Sequence, residues 1–409
     1  MVVDVLMLSA AHPPDDVRIV RKEGAALAAA GWRVLHLCPG GPAPAAIAGL
    51  AIQTYDRRPG WWGRLRNIPR LARLARALRP RVIQAHEPDA WLAALLARHG
   101  HVVLDVHEHY PSRLDARLPA LLRGPARWAL RAMCRAMARG ADAVVVAKDG
   151  LAEDYGRACV AVRNYAEAPR VQPRLHAPGP VMLLHLGAIS RARGWPQLLA
   201  ALTLTEVALT EAAPTNAALT LAGSTLAGQT LASPTLAGPT LAGPTPASLT
   251  IAGRFTDGSE ADFHAEAARR GLTPRIRMLG WLSPDAMAAE AARADINLVL
   301  FQPGEENHRL ALPHKLADGM LAGLPVIAPA FATEVATMVT EARCGLLVDV
   351  TDPADIAAAI ARLGDPALRA RLGAAGRDAA MGRYGWAGQA AALVALHTRL
   401  LGSPERAAV

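Results

Sequence analysis

The chain has 409 residues, of which 52% are hydrophobic and 19% charged, and its net charge is +9. This length fits two globular domains, and no uncharged apolar run reaches the ~18 residues of a membrane-spanning helix. The first residues include Asp4 and no basic leader, so we expect no signal peptide. The four cysteines are scattered without metal-ligand spacing, and we expect them to be reduced.

The positive charge is concentrated in residues 1–170, which hold 25 of the 44 basic residues but only 15 of the 35 acidic ones. Two arginine-rich amphipathic segments, residues 64–81 and 123–139, carry much of this excess. Helices of this kind can bind an anionic membrane surface, but a solvated outer face explains them equally well. No nucleic-acid-binding motif accompanies the charge, so nucleic acid is not an expected partner.

Short apolar runs alternate with longer helical patterns along most of the chain. Strands are predicted at residues 2–8, 33–37, 81–85, 101–106, 143–147, 181–186, 249–253, 275–279, 296–301, 324–328 and 346–348. Helices are predicted between them, among others at residues 17–30, 90–98, 118–139, 260–270, 284–293 and 314–322. This order predicts an α/β fold with two Rossmann-like, doubly wound parallel-sheet domains. Ligands of such sheets bind at the carboxyl ends of the strands, so the site is expected in a cleft that the domains face.

The predicted domains are residues 1–168 and 181–385, joined by a proline-rich linker at 169–180. A final helix at 386–401 is assigned to the first domain. Residues 220–248 repeat a five-residue TLAGx unit with several prolines, which cannot lie in a central strand. A surface loop is the favoured interpretation of this insert, and a pentapeptide β-helix is the alternative.

Polar residues cluster after strands of the first predicted domain. The loop after the first strand contains HPPDDVRI from His12 to Ile19, and later strands run into HEPD at His86 and HEHYP at His107. A lone histidine at a strand end is more often structural than functional. Two such ends, both rich in histidine and carboxylates and facing one cleft, favour an active-site role.

The second predicted domain offers sites for an anion. One strand ends in the loop GAISRARG from Gly187, and a helix follows Pro313 with the string HKLAD. Helix-start N–H groups and arginines suit a pyrophosphate, although an ordinary loop with exposed arginines would look the same. Trp281, after a further strand, would either stack on a nucleotide base or fill the core.

Together these strings resemble the family 4 (group 1) glycosyltransferases of GT-B fold. The family patterns are HPxxDxRI, DxHExYP, GxxSxx(K/R)G and RLALPNKLxEYMAAGLPVI, and a closing YxW helix that returns to the first domain. The resemblance implies a metal-independent retaining glycosyltransferase with a nucleotide-diphosphate sugar as co-substrate and no cofactor. The acceptor would be a saccharide or a lipid-linked saccharide in cell-surface polysaccharide or glycolipid synthesis. We expect a cytoplasmic protein, peripheral on the inner face of the membrane if the basic helices bind lipid.

The resemblance also carries roles over to matching positions. His107 would face the donor sugar and its departing phosphate, and Arg193 and Lys315 would contact the diphosphate. Asp318 would hold the donor ribose. The donor-side candidates are Gly187, Ser190, Arg193, Gly253, Gly280, Trp281, Lys315 and Asp318. The acceptor-side candidates are Asp16, Arg18, His86 and Glu108, and Lys22 and Glu23 are expected at the surface.

Five of the positions that depart from the family pattern bear on the predicted function. A Gly pair is replaced by Ala10 and Ala11, a common arginine by Ala188, and the first acid of the two-Glu motif by Leu310. Asp318 is one methylene shorter than the usual Glu. These departures leave open a non-catalytic protein of the same fold that binds a sugar nucleotide, and a sugar-nucleotide epimerase is the enzyme alternative.

Overall fold

The structure is a computed structural model and describes residues 2–165, 167, 171–211 and 247–403. The chain divides into two compact units. Unit 1 comprises Met1–Ala168, Glu305–Leu312 and Gly382–Val409, and unit 2 comprises Pro169–Gly304 and Pro313–Met381. Of the repeat insert predicted at 220–248, residues 220–246 lie outside the described residues, so its interpretation stays a prediction.

The strands fall close to the predicted apolar runs. In chain order they are β1 (Val5–Leu8), β2 (Val34–Pro39), β3 (Ala46–Ile47), β4 (Leu50–Tyr55), β5 (Val82–Ala85), β6 (His101–Val106), β7 (Ala143–Val146), β8 (Val160–Ala161), β9 (Val181–Leu186), β10 (Ala247–Ala252), β11 (Ile276–Met278), β12 (Ile296–Leu298), β13 (Val326–Pro329) and β14 (Gly345–Val348).

The helices lie between the strands. They are α1 (Ala25–Ala29), α2 (Gly60–Leu78), α3 (Pro88–Ala97), α4 (Ala120–Arg139), α5 (Trp195–Glu211), α6 (Glu260–Arg269), α7 (Pro284–Arg293), α8 (Glu306–Arg309), α9 (His314–Leu321), α10 (Thr333–Ala342), α11 (Pro353–Arg362), α12 (Pro366–Met381) and α13 (Trp386–Leu401). A π-helix at Val17–Gly24 leads directly into α1. Among these helices, none is both long enough and apolar enough to span a bilayer.

In unit 1 the described strands form one sheet in the order β3-β4-β2-β1-β5-β6-β7-β8. All neighbours are parallel except β3 and β4. Alternate side chains of β1 enter different cores: Leu6 and Leu8 pack with α2, α3 and α4, while Val5 and Met7 pack with the π-helix and α13. The sheet is therefore covered on both faces, as the βα alternation predicts.

In unit 2 the described strands form a wholly parallel sheet in the order β11-β10-β9-β12-β13-β14. Chain order reverses beside β9, which has β10 on one side and β12 on the other. The corresponding reversal in unit 1 lies at β1, between β2 and β5. Ligand sites of such sheets lie at the carboxyl ends of the strands at these reversal points. The fold class predicted from the sequence is confirmed, with a doubly wound sheet in each unit.

The C-terminal helix α13 belongs to unit 1, as predicted. Leu393, Leu396 and Leu401 of this helix enter the core beneath Val5 and Met7. The helix also covers the π-helix, so the expectation that Lys22 and Glu23 lie at the surface is wrong. Lys22 is 3% exposed and donates to Asn164 Oδ1 (3.0 Å), and Glu23 is fully buried. Local sequence could not reveal this burial, because the covering residues lie far along the chain.

Substitution of Gly253, the residue after β10, tests how tightly the strand ends of unit 2 pack. A Cβ atom there would lie 1.7 Å from the Gly187 carbonyl oxygen, so Gly253→Ala must displace the backbone. We expect a loss of about 1–3 kcal/mol in the free energy of unfolding. Gly124→Ala, on the exposed surface of α4 with open space around it, should instead be neutral or stabilise by about 0.5–1 kcal/mol. Denaturant unfolding of both variants measures this, and equal stability of Gly253→Ala and the wild type would contradict the packing.

Candidate functional site

Two loops meet at the carboxyl ends of β9 and β10 in unit 2. Gly187 follows β9 with φ of +87°, a conformation that disfavours a side chain, and its carbonyl lies against Gly253. The chain then passes Ser190, whose carbonyl accepts from the Arg193 N–H (3.0 Å), and reaches Gly194 with φ of +82°. These glycines let the loop approach its neighbour closely and turn Arg193 toward the start of α5.

Lys315, in the first turn of α9, is the most unusual charged residue of unit 2. It is only 6% exposed, and among the residues that the structure describes no hydrogen-bond acceptor reaches its Nζ. The charge that acts on it is the guanidinium of Arg193. A buried ammonium beside another cation costs free energy unless an anion compensates it.

The position of Lys315 is held from β12. Asn297, which is fully buried, donates from Nδ2 to the Lys315 carbonyl (2.8 Å). Its side chain fills the space beside Gly319, where a Cβ would lie 2.3 Å from Nδ2. Gly319 stands where the resembled family has Tyr, so the small residue and the inserted amide form a matched pair that fixes the first turn of α9.

Burial and charge repulsion lower the pKa values of two basic groups at this site. Burial, reinforced by the charge of Arg193, lowers the pKa of Lys315 to about 7. Burial and then the charge of Lys315 hold the pKa of His185, on β9, well below its usual range. Three basic side chains therefore act on one another at the end of β9, and two of them have their charged forms disfavoured. This electrostatic pattern is that of an anion site.

The remaining donor-side candidates lie around the same strand ends. Ser190 is 7% exposed, and Asp318 is exposed one turn after Lys315 on α9. Gly280 has φ of +67°, and Trp281 beside it is 66% exposed with the Arg254 guanidinium 5.1 Å from its ring centre. The interpretation of Trp281 as a core residue is therefore wrong. A nucleotide-base contact remains a prediction.

Unit 1 brings together a different, internally paired set. Asp105 Oδ2 lies 3.1 Å from His86 Nδ1 and 3.4 Å from His107 Nε2, and the two imidazole nitrogens are 3.4 Å apart. His86 and Asp105 are fully buried, while the His107 side chain is 12% exposed. His107 is thus the one member of this group that reaches solvent, as its predicted substrate-facing role requires.

Arg18 and Gln84 link Asp105 to a second buried carboxylate, Glu23. Arg18 Nη2 lies 3.1 Å from Asp105 and 2.7 Å from Glu23. Gln84 Nε2 donates to both carboxylates, at 3.1 and 2.8 Å. Arg18 is 6% exposed and also donates to the Val162 carbonyl. Arg18 and His86 therefore contact other buried groups, and their acceptor contacts stay predictions.

The pKa values of the two buried carboxylates shift in opposite directions. Burial alone would raise the pKa of Asp105, but the charge of Arg18 and the hydrogen bond from His107 hold it well below the usual range. Burial raises the pKa of Glu23 well above its usual range, against the charge of Arg18. Burial also lowers the pKa of His107, so its neutral form is favoured near pH 7.

Asp16 caps the π-helix by accepting from the Ile19 N–H (2.9 Å), and it also contacts His12 Nδ1 (2.9 Å). Burial disfavours the charged form of His12, but the hydrogen bond to Asp16 and the charge of Glu87 outweigh it and raise the His12 pKa. The His12 ring centre lies 5.1 Å from that of His107.

At two further positions, the surroundings of the side chain bear on the role that the family resemblance implies. Glu108 is paired at the surface with Arg113, and its acceptor role stays a prediction. Leu310, which replaces the first acid of the two-Glu motif, is 3% exposed in the core of unit 1 and packs against Gly150. An acid at this position would be buried among apolar groups.

One group in the described chain has the spacing of metal ligands: donor atoms of His86, Asp105 and His107 lie within 4.8 Å of one another. Hydrogen bonding accounts for the same contacts, and Arg18 already balances the carboxylate. The expectation that no metal is needed stays a prediction.

Sequence reasoning missed His12, Glu87, His185 and Asn297 as site residues. His185 and Asn297 lie within buried strands, whereas His12 and Glu87 lie in the chain after β1 and β5. A polar residue that interrupts a buried strand is the signal that could have identified His185 and Asn297.

The buried network of Arg18, Glu23 and Asp105 predicts unequal effects of removing its charges. Arg18→Met removes the arginine that both buried carboxylates share and should cost about 3–5 kcal/mol of stability. Glu23→Gln keeps the shape and should be far milder. Because the folded-state pKa of Glu23 is raised, the wild type loses stability as pH rises above the unfolded pKa of about 4.3, and Glu23→Gln should reduce this loss. Denaturant unfolding at several pH values measures both effects. Equal losses in the two variants would contradict the proposed charge pairing.

The comparisons with known proteins agree with this architecture. Residues 17–164 match the family described as "Glycosyl transferase 4-like domain", and residues 235–365 match "Glycosyl transferases group 1". No curated protein sequence gives a significant match.

Solved structures of GT-B glycosyltransferases superpose on nearly the whole chain. Sucrose-phosphate synthase from Thermosynechococcus elongatus aligns with a TM-score of 0.70 at 18% identity, covering 97% of this chain and 99% of its own. Anabaena HepE, in complex with UDP and glucose, gives 0.65 at 16% identity over 97% and 100%. The lipopolysaccharide outer core galactosyltransferase WaaB gives 0.60 at 11% identity over 96% and 99%.

The two family matches cover successive parts of the chain, and each unit has a doubly wound sheet. The chain belongs to the group 1 glycosyltransferases and is a glycosyltransferase of GT-B fold.

Proposed function

We propose that the protein transfers a sugar, with retention of configuration, from a nucleotide-diphosphate sugar to a saccharide or lipid-linked saccharide in cell-surface polysaccharide or glycolipid synthesis. Unit 2 holds the donor. The observation that carries this proposal is the buried Lys315, whose Nζ has no partner in the described chain and lies in the field of Arg193. A diphosphate supplies the missing negative charge, and its oxygens accept from both cations.

The other donor contacts follow from their places around the same strand ends. Gly187 has open space beside it, where a ligand can approach the backbone, and Gly253 packs against the Gly187 carbonyl. Asp318, one turn from Lys315, binds the ribose hydroxyls, and the exposed Trp281 ring stacks on the base. HepE, which has the same fold, was crystallised with UDP. UDP is therefore the first nucleotide to test.

Departure of the diphosphate is the step that the protein assists. Arg193 and Lys315 stabilise the developing charge on the leaving phosphate, which is the main catalytic contribution. These cations supply the stabilisation that a metal gives elsewhere, so the reaction needs no metal. His107, kept neutral by burial and oriented by Asp105, contacts the donor sugar while the acceptor attacks the same face.

The acceptor side includes an exposed apolar stripe on a basic helix. Leu121, Leu122 and Trp128 of α4 are 90%, 53% and 72% exposed, and arginines flank them on the same helix. Leu121 and Trp128 lie two turns apart on one face. This surface binds anionic lipid and brings the enzyme to a membrane-bound acceptor.

The activity is tested by incubating the full chain with UDP-sugars and candidate lipid-linked or free saccharides. Release of UDP that depends on the acceptor, with an α-linked product from an α-linked donor, supports the proposal. Conversion of the donor to an epimer without an acceptor would show an epimerase. Donor binding with no turnover across acceptors would show a non-catalytic binding protein, which the loss of an acid at Leu310 makes the second candidate.

Arg193→Ala should weaken UDP binding by about 10- to 100-fold, because a charge-assisted contact to the diphosphate is lost. Arg191→Ala is the matched control, since Arg191 is exposed and paired with Asp262 at 2.7 Å. Isothermal titration calorimetry measures both. Equal losses in the two variants, or unchanged affinity in Arg193→Ala, would remove Arg193 from the donor site.

UDP affinity should depend on pH through Lys315. The pKa of Lys315 is about 7 without ligand, and a bound diphosphate favours the protonated form. Affinity should therefore be highest below pH 7 and fall by up to about tenfold per pH unit above it. Lys315→Arg keeps its charge and should bind with little pH dependence between pH 7 and 9. The same dependence in Lys315→Arg and wild type would contradict the role of Lys315.

The membrane surface is tested by flotation with vesicles of phosphatidylglycerol or phosphatidylcholine. We expect binding to the anionic vesicles, and Leu121→Ser/Trp128→Ser should reduce the bound fraction at least about tenfold because two apolar side chains are lost. Leu175→Ser, which removes an 85% exposed leucine of unit 2, is the control and should bind normally. A wild type that never floats would end this part of the proposal.

A further inference from the structure

The loop after β1 carries an anion-binding arrangement that the chain itself already fills. The N–H groups of Ala10, Ala11 and His12 point to the carboxylate of Glu87, at 2.8, 3.0 and 3.2 Å. The Ser9 hydroxyl donates to the same carboxylate at 2.8 Å. Successive backbone N–H groups that converge in this way form an anion nest. Four donors on one carboxylate hold the loop in a single conformation.

The nest is built into the core of unit 1. Glu87 is 6% exposed and Ser9 is fully buried. Tyr55 Oη donates to the Ser9 carbonyl at 3.1 Å, which fixes the start of the loop from β4. In the resembled family a Gly pair in this loop approaches the donor phosphates. Here Ala10 and Ala11 present their N–H groups to Glu87 instead.

This loop positions the imidazole ring of His12. Its Nδ1 lies 2.9 Å from Asp16 and its Nε2 lies 3.4 Å from Glu87, so both ring nitrogens face carboxylates. Its side chain is 30% exposed, and its ring centre lies 5.1 Å from that of His107. Glu87 therefore contacts the loop twice, through the backbone and through the ring that packs against His107.

We propose that Glu87 is a positioning residue for the transfer reaction: it occupies the nest after β1 in place of a donor phosphate and holds His12 against His107. This inference rests on the proposed function, in which His107 contacts the donor sugar and unit 2 alone binds the diphosphate. The groups that face His12 are Asp16, Glu87, Asp105, His36 and His107. The negative charge of Glu87 is one of the causes that raise the His12 pKa.

Glu87→Gln is the direct test, because glutamine keeps the size but presents an N–H₂ group to the loop donors. Turnover of the UDP-sugar should fall about 10- to 100-fold, since His12 and His107 lose their alignment. UDP affinity should stay within about twofold, because its contacts lie in unit 2. The His12 pKa, measured by NMR of ¹⁵N-labelled histidine, should fall as the facing charge is removed.

Two further variants separate positioning from loss of folding. Ser9→Ala removes one of the four donors and should shift turnover and the His12 pKa in the same direction by a smaller amount. Asp89→Asn, next to the helix start but paired with Arg64 at 2.8 Å outside the nest, should leave both readouts unchanged. Circular dichroism confirms that each variant is folded.

The outcomes distinguish this inference from the proposed function. If Glu87→Gln weakens UDP binding tenfold or more, the nest contributes to donor binding and the inference is wrong. It is also wrong if turnover and the His12 pKa are unchanged. If the wild type binds no nucleotide diphosphate, the proposed function fails. In that case the NMR measurement on Glu87→Gln still decides whether Glu87 controls His12.

Discussion

The proposed donor site depends on one feature, a buried lysine amine that no hydrogen-bond acceptor of the described residues reaches. Burial, reinforced by the charge of Arg193, lowers the pKa of Lys315 to about 7. Asn297 and Gly319 hold the backbone of the first turn of α9 in place. A buried charged group with a perturbed pKa is typical of a functional site, and we propose that a ligand supplies the compensating charge here.

The contrast with unit 1 strengthens this interpretation. There the buried charged groups are paired with other groups of the same unit. Arg18 contacts both Asp105 and Glu23, and Glu87 accepts the hydrogen bonds of the nest after β1. An internally neutralised network orients side chains and has little charge left to attract a phosphate. We therefore propose that unit 1 positions His107 and that unit 2 attracts an anion.

Much of the fold followed from local pattern, because apolar runs and the residues at their ends are set by neighbours in sequence. The short β3 and β8 and the strand β4 were missed, because the first two have only two residues each and none was part of a long apolar run. The donor-side cations were inferred from motif order, and their role stays a prediction. The burial of Glu23 and the contacts of Glu87 and Asn297 were not predictable, because their partners lie from 18 to more than 70 residues away.

The most direct measurement is a crystal structure of the full chain with UDP. We expect diphosphate oxygens at about 2.7–2.9 Å from Lys315 Nζ and from the Arg193 guanidinium, with the amides of Ala10 and Ala11 still bound to Glu87. A diphosphate bound away from Lys315 and Arg193 would contradict this expectation.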